Sequence, residues 1–317
     1  MKPGVLGLLP WEPAPRETFA SISRQAQRAE ALGFHSLWLP EMHFDRAAPW
    51  PSPLLAMAAA AATTQRLRLG TASYLLPVRP ALQMAEDVAV LDRMSEGRVI
   101  LGLGRGFQRS LFAAFEVPAR EKRARFAANL ELMRRAWAGE PVGYEDPERR
   151  VPIHLHPRPL QQPHPPLWVA AFGPKAIEQA GRLGLPYLAS PAEPLAALER
   201  NYALHASYLA EPASDPTVPV MRSVFAARSP DLARRVSEAL ERQARRLGRA
   251  GRNRYARLSR GPVEDWALVG DPERIAERID DCRRRFGLTH LIARVNVPGV
   301  DASEVQRSIE LISELPS

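Results

Sequence analysis

Apolar positions along this chain follow two alternating rhythms. Short apolar runs of strand length cover residues 5–9, 36–39, 67–71, 99–103, 167–170, 187–189, 218–226 and 290–295. Between them lie longer segments in which apolar residues return every three or four positions, the spacing of one face of a helix. These segments are 17–32, 53–64, 80–94, 120–138, 174–183, 192–209, 231–247 and 272–286. Thr18 is placed to cap the first helix and Gly33 to end it, and Pro174 falls in a helical first turn, where its missing N–H is not needed. Eight strands alternating with helices predict a parallel α/β architecture, read as a (β/α)8 TIM barrel with insertions. A doubly wound open sheet is the runner-up. The whole chain, 1–317, reads as one domain. Two stretches break the rhythm. Residues 139–166 are proline-rich and read as an insertion with a small hairpin. Residues 248–265 are basic, contain glycines and lack periodicity, the pattern of a mobile loop.

Small and polar residues collect where the strand-like runs end, which in an α/β barrel is the face that carries the active site. The fourth run enters Gly102-Leu103-Gly104-Arg105-Gly106-Phe107. Phe107 occupies the place of the third glycine in a dinucleotide fingerprint, so that reading is rejected. The alternative is a turn whose glycines let the backbone approach a ligand closely, with Arg105 presenting a planar fork to a phosphate. A plain structural turn with an exposed arginine is the competing reading. Glu41-Met42-His43-Phe44 closes the second run, and its carboxylate and imidazole suit proton transfer or the orientation of a polar ring, or a purely structural pairing. Pro174-Lys175 opens a helix directly after the fifth run, where backbone N–H groups and the lysine attract an anion. His154 and His156 have no third ligand nearby, so no metal site is expected. No G-x-S-x-G elbow, Walker loop or H-E-x-x-H is present.

Composition narrows the classes. An apolar fraction of 45% is that of a globular chain. No apolar run approaches the roughly 18 residues of a membrane span, and residues 1–9 lack the pattern of a secretion signal. A single cysteine, Cys282, rules out an internal disulfide. Together these features predict a cytoplasmic protein. The net charge of +8 is concentrated, with ten arginines against two glutamates between Arg234 and Arg260. That stretch reads as a solvated helix and polar loop, or as a landing zone for an anionic ligand that closes as a lid. Only Tyr255 interleaves the arginines, so the stacking surface of a nucleic-acid binder is missing.

Four pieces of the chain resemble the bacterial-luciferase-like flavin monooxygenases. They are AEALGFHSLWLPEMHF (29–44), LRLGTASYLLPVRPALQMAEDVAVLDRMSEGRVILGLGRGF (67–107), PPLWVAAFGPKAIEQAGRLGLP (165–186) and VGDPERIAERIDDCRRRFGLTHLIARVNVPG (269–299). The second piece is the most specific. The resemblance implies a (β/α)8 barrel and an oxidoreductase that uses reduced FMN and O2 to oxygenate a small organic substrate through a C4a-(hydro)peroxyflavin. A separate flavin reductase is a possible partner, and a homo-oligomer is expected. A deazaflavin (F420)-dependent hydride-transfer enzyme and a non-catalytic flavin-binding protein are the alternatives. By resemblance, Ala72-Ser73 is a cis peptide that shapes the flavin ring site, Arg105 holds the flavin phosphate, and the loop from Ala171 to Lys175 contributes backbone N–H groups and Lys175 to it. Phe107, Val169, Phe172, Gly173 and Ser190 complete the expected cofactor-binding set, with His43 and Glu41 as the catalytic candidates. Light-emitting members carry E-H-H-F at the second strand; Met42 stands at its first histidine, so the resemblance does not carry aldehyde oxidation or light emission across.

Overall fold

A computed structural model describes residues 5–11, 19–44, 51–146, 148–211, 214–249 and 261–315, with the side chains of 247–249 left undescribed. In chain order the elements are β1 (Val5–Leu8), α1 (Phe19–Ala31), β2 (Ser36–Leu39), α2 (Pro53–Ala61), β3 (Arg68–Leu75), α3 (Ala81–Met94), β4 (Val99–Gly104), α4 (Arg109–Ala114) and α5 (Lys122–Ala138). They continue with β5 (Gly143–Asp146), β6 (Val151–Ile153), β7 (Leu167–Ala170), α6 (Pro174–Arg182), β8 (Tyr187–Leu188), α7 (Leu195–Ala206) and β9 (Pro219–Ala226). The last are α8 (Pro230–Arg249), β10 (Ala267–Gly270), α9 (Pro272–Phe286), β11 (His290–Arg294) and α10 (Ala302–Ser313). The chain divides into two compact units, one of Met1–Pro13, Arg28–Trp38 and Ala171–Ser317, the other of Ala14–Gln27 and Leu39–Ala170.

In the first unit β10, β9, β11, β1 and β2 pair in that order, every ladder parallel. Parallel strands covered by helices are buried on both faces, as β9 is along its whole length, Arg222 and Ser223 included. Trp38, Tyr187 and Phe225 are fully buried at its centre. In the second unit β3, β4 and β7 pair in parallel, and Trp137 and Phe126 of α5 fill the core. The proline-rich insertion holds the expected hairpin, β5 against β6. It is tied to the helical layer by Asp92 of α3, fully buried, whose two carboxylate oxygens accept from the Gln161 amide N–H at 2.9 Å and from Gln161 Nε2 at 2.7 Å. Replacing Asp92 with Asn turns one acceptor into a donor that faces a donor. We expect Asp92→Asn to destabilise the protein by about 1–2 kcal/mol in urea unfolding; an unchanged midpoint would show that the insertion is anchored elsewhere.

The parallel α/β class is as expected, and three elements depart from the expected series. β10 lies between the expected loop, which ends at Asp265, and the expected helix from Pro272, where no strand was expected. α4 was not expected at all. α10 lies beyond the last expected strand; its start carries a capping box between Asp301 and Glu304, a local signal that strand–helix alternation alone passes over. Of the loop expected at 248–265, Gly248 and Arg249 close α8, and Val263–Asp265 forms a 3₁₀ turn. Residues 250–260, with most of the expected lid arginines, lie outside the described residues, as does the expected cap Thr18. Among the described residues no helix is long and apolar enough to cross a membrane, and no cluster of His, Cys, Asp or Glu is arranged to hold a metal ion.

Candidate active site

The expected site residues lie in a strand or in the segment that follows one, except Lys175, which is in the first turn of α6. Glu41 follows β2, and its side chain is fully enclosed. Oε2 accepts from the Leu75 amide at 3.0 Å; Oε1 meets Nη1 of Arg79 and Nε2 of His43, each at 2.7 Å. The charge is thus neutralised by Arg79 and solvated by fixed N–H groups, the condition under which a carboxylate tolerates burial. Arg79 sits just after the 3₁₀ turn Leu76–Val78. Its guanidinium also donates to Pro51 O at 3.1 Å and lies 4.8 Å from the ring centroid of Tyr74, and burial pushes the Tyr74 phenol well above its ordinary range. Asn129 of α5 donates to the carbonyls of Leu76 and Arg79, fixing the turn from the helix side. His43 is buried, with the ring of Phe115 edge-on at 5.1 Å and that of Phe44 tilted at 5.8 Å. Phe44, with φ of +57°, is largely exposed, and Phe115 is partly so.

The neighbouring strands bring the glycine turn to the same unit. The Ala72–Ser73 peptide is cis, as the resemblance implies. These two residues are partly exposed on a strand otherwise mostly buried, and the β3–β4 register shifts between Ala72 and Tyr74. Gly104 is required by that arrangement, since a Cβ there would lie 2.2 Å from Ser73 Oγ and 2.9 Å from Leu75 Cδ2. Arg105 comes next, 9% exposed. Its Nη2 donates to Ala170 O at the end of β7 at 3.3 Å, and its guanidinium stands 5.7 Å from the Phe126 ring centroid. Burial, with Arg123 adding to it, lowers the Arg105 pKa to about 10. A cation stripped of water in this way gains more from an anion than one on the surface does. Phe107 is partly exposed beyond Gly106.

In the other unit, α6 starts at Pro174, directly after Gly173. Gly173 holds φ of +76°, which a side chain would resist. Pro174 has no N–H and the Ala176 amide donates to Gly173 O, so this helix start offers fewer amides to an anion than the sequence led us to expect. Lys175 is exposed and Phe172 half-buried, whereas Val169 on β7 is fully buried and presents no surface of its own. Ser190, after β8, is buried; its amide donates to Glu193 Oε1 at 2.8 Å, and its hydroxyl accepts from the Ala192 amide at 3.3 Å. Glu193 Oε2 accepts from Tyr187 Oη at 2.5 Å and Asn201 Nδ2 at 2.6 Å, and its carbonyl accepts from Arg222. Burial outweighs these bonds and raises the Glu193 pKa. Sequence reading passed over Arg79, Asn129 and Glu193.

The profile of the luciferase-like monooxygenase family matches residues 6–290. The crystal structure of monooxygenase RslO1 from Streptomyces bottropensis superposes with a TM-score of 0.81 at 30% identity, covering 98% of each chain. The oxygenase component of flavin-dependent trigonelline monooxygenase from Acinetobacter baylyi (strain ATCC 33305 / BD413 / ADP1) is 28% identical over 172 residues, 53% of this chain and 48% of that protein. An F420-dependent glucose-6-phosphate dehydrogenase from Amycolatopsis mediterranei (strain U-32) is 36% identical over 171 residues, half of each chain. The chain spans about half the length of the curated relatives it matches. A profile match over nearly the whole chain and a 30% identical structural relative over its full length agree with the strand-end geometry: the chain belongs to the luciferase-like monooxygenase family.

Proposed function

We propose that the protein is a flavin-dependent monooxygenase, one (β/α)8 barrel domain that takes reduced FMN and O2 and oxygenates a small organic substrate. The observation that carries this reading is the pairing of β3 with β4: the cis Ala72–Ser73 pair, the glycine its serine covers and the water-poor cation Arg105 all sit at one strand edge. That donor set fits a flavin phosphate, because a phosphate offers the paired acceptors that a guanidinium fork recognises. Within this reading Arg105 holds the phosphate, and Ala72 and Ser73 shape the ring site. Reduced FMN, when bound, supplies the electrons that activate dioxygen; the chain's own residues bind it, orient it and exclude water. His43 handles the proton, held by Glu41. A separate flavin reductase is the natural supplier, since the trigonelline relative is one component, the oxygenase, of its monooxygenase.

The F420-dependent relative supports a second reading, hydride transfer on the same fold. Anaerobic titration with reduced FMN and with reduced F420, followed by mixing with oxygenated buffer, separates them. Tight FMN binding and flavin reoxidation slower than in free solution are expected. Preference for F420 overturns the FMN reading, and release of hydrogen peroxide alone with every substrate tried points to a flavin-binding protein without oxygenation.

The same reading includes a homodimer. Leu55 of α2 and Leu82, Val90 and Met94 of α3 are exposed apolar side chains on neighbouring helices, the kind of surface that pairs. Light scattering at micromolar concentration is expected to give twice the 35.2 kDa chain mass; the single-chain mass would rule the dimer out.

A further inference from the structure

We infer that Arg79 is a positioning residue for His43, acting through Glu41, and that Nδ1 is the ring atom left to take and return a proton. The inference deepens the proposed function and rests on it for the identity of the proton's owner, but not for the geometry.

The argument starts from donor and acceptor types. The Glu41 carboxylate receives the Leu75 amide, the Arg79 guanidinium and His43 Nε2. An amide N–H and a guanidinium only donate, so the carboxylate is bound as an acceptor, and the nitrogen of His43 that meets it carries the hydrogen. A neutral imidazole has one N–H. With that hydrogen on Nε2, the lone pair is on Nδ1. Among the described residues Nδ1 has no hydrogen-bond partner, and the rings flanking the imidazole, Phe44 and Phe115, carry none to offer.

Arg79 does more than fill space. A buried carboxylate whose charge fell on the imidazole alone would draw a second proton onto the ring, and an imidazolium has no lone pair to act as a base. Arg79 shares that charge. It is itself held at several points: by Glu41, by the Pro51 carbonyl, by the Tyr74 ring beneath it and, through its backbone carbonyl, by Asn129. Among the described residues, the charged and titratable groups brought to this network are Glu41 after β2, Arg79 before α3 and Tyr74 on β3, with Asp87 of α3 acting on Tyr74. In a reaction cycle Nδ1 accepts one proton from the substrate, the ring becomes an imidazolium beside Glu41, and the same proton is given back to product or solvent, leaving the ring neutral.

The test uses the full chain without cofactor. Nitrogen-15 NMR of the His43 ring above its titration range is expected to show a protonated Nε2 and a bare Nδ1; the reverse tautomer overturns the inference. In Arg79→Ala the proton affinity of His43 is expected to rise roughly tenfold or more, the effect of leaving a nearby carboxylate less shared. Arg79→Lys, which restores a cation beside Glu41, is expected to return most of the wild-type value and covers the case in which the alanine variant does not fold. Equal His43 titration in wild type, Arg79→Ala and Arg79→Lys means Arg79 does not act on the ring. FMN affinity measured on the same variants keeps the two readings apart. Absence of FMN binding with the expected ring behaviour removes the flavin assignment alone, while FMN binding with an unchanged ring removes this inference alone.

Discussion

Arg105→Ala is expected to weaken FMN binding by roughly 10- to 150-fold, the equivalent of one charge-assisted contact of about 1.5–3 kcal/mol. Riboflavin, which lacks the phosphate, should bind the variant and the wild type alike. Two features set the size of the effect. Arg105 is nearly buried, and burial has already lowered its pKa to about 10, so a phosphate restores stabilisation that water no longer supplies. It is also pre-placed, by the Ala170 carbonyl and the Phe126 ring, so little side-chain freedom is lost on binding. Isothermal titration of both ligands against both proteins checks this. If FMN affinity is unchanged, or riboflavin loses as much, the phosphate is not held here.

Glu193→Ala is expected to destabilise the fold by about 3–5 kcal/mol, because it strands buried donors around a removed charge. The Tyr187 hydroxyl, the Asn201 amide and the Ser190 N–H all end on this carboxylate. Urea unfolding measures the loss; a change below about 1 kcal/mol, the scale of an ordinary exposed hydrogen bond, would show that water replaces the carboxylate. Glu193 also carries a pH signature. Its folded pKa is raised by burial above its unfolded value. The folded state therefore binds more protons between the two values, and this residue's contribution to stability falls as pH rises through that window. It is fully present below the ordinary glutamate pKa. Wild-type stability relative to Glu193→Gln should accordingly increase as pH is lowered through the window, and a difference that does not vary with pH would remove the assigned shift.

The parallel α/β class and the positions of the strand ends follow from the order of residues alone. Both are local. Strand and helix differ in the period of their apolar positions, which survives in a string of letters, and the residues that end a strand are its next neighbours in the chain. Arg105, the Gly104 turn and the Glu41–His43 pair were legible for that reason, and the cis peptide at Ala72–Ser73 through the resemblance. Which charges meet is settled only by packing. Arg79 lies 38 positions from Glu41, and Asn129 lies 50 from the Arg79 carbonyl it fixes; in sequence one is an arginine in a proline-flanked loop and the other a polar residue on an amphipathic helix. Glu193 stood inside an expected helix, 192–209, and proved instead to precede α7 and to turn inward to Tyr187, Asn201 and the Ser190 amide. A residue's charge is written in the sequence, but its worth depends on distance and on the water around it, and both are set only when segments far apart in the chain are packed side by side.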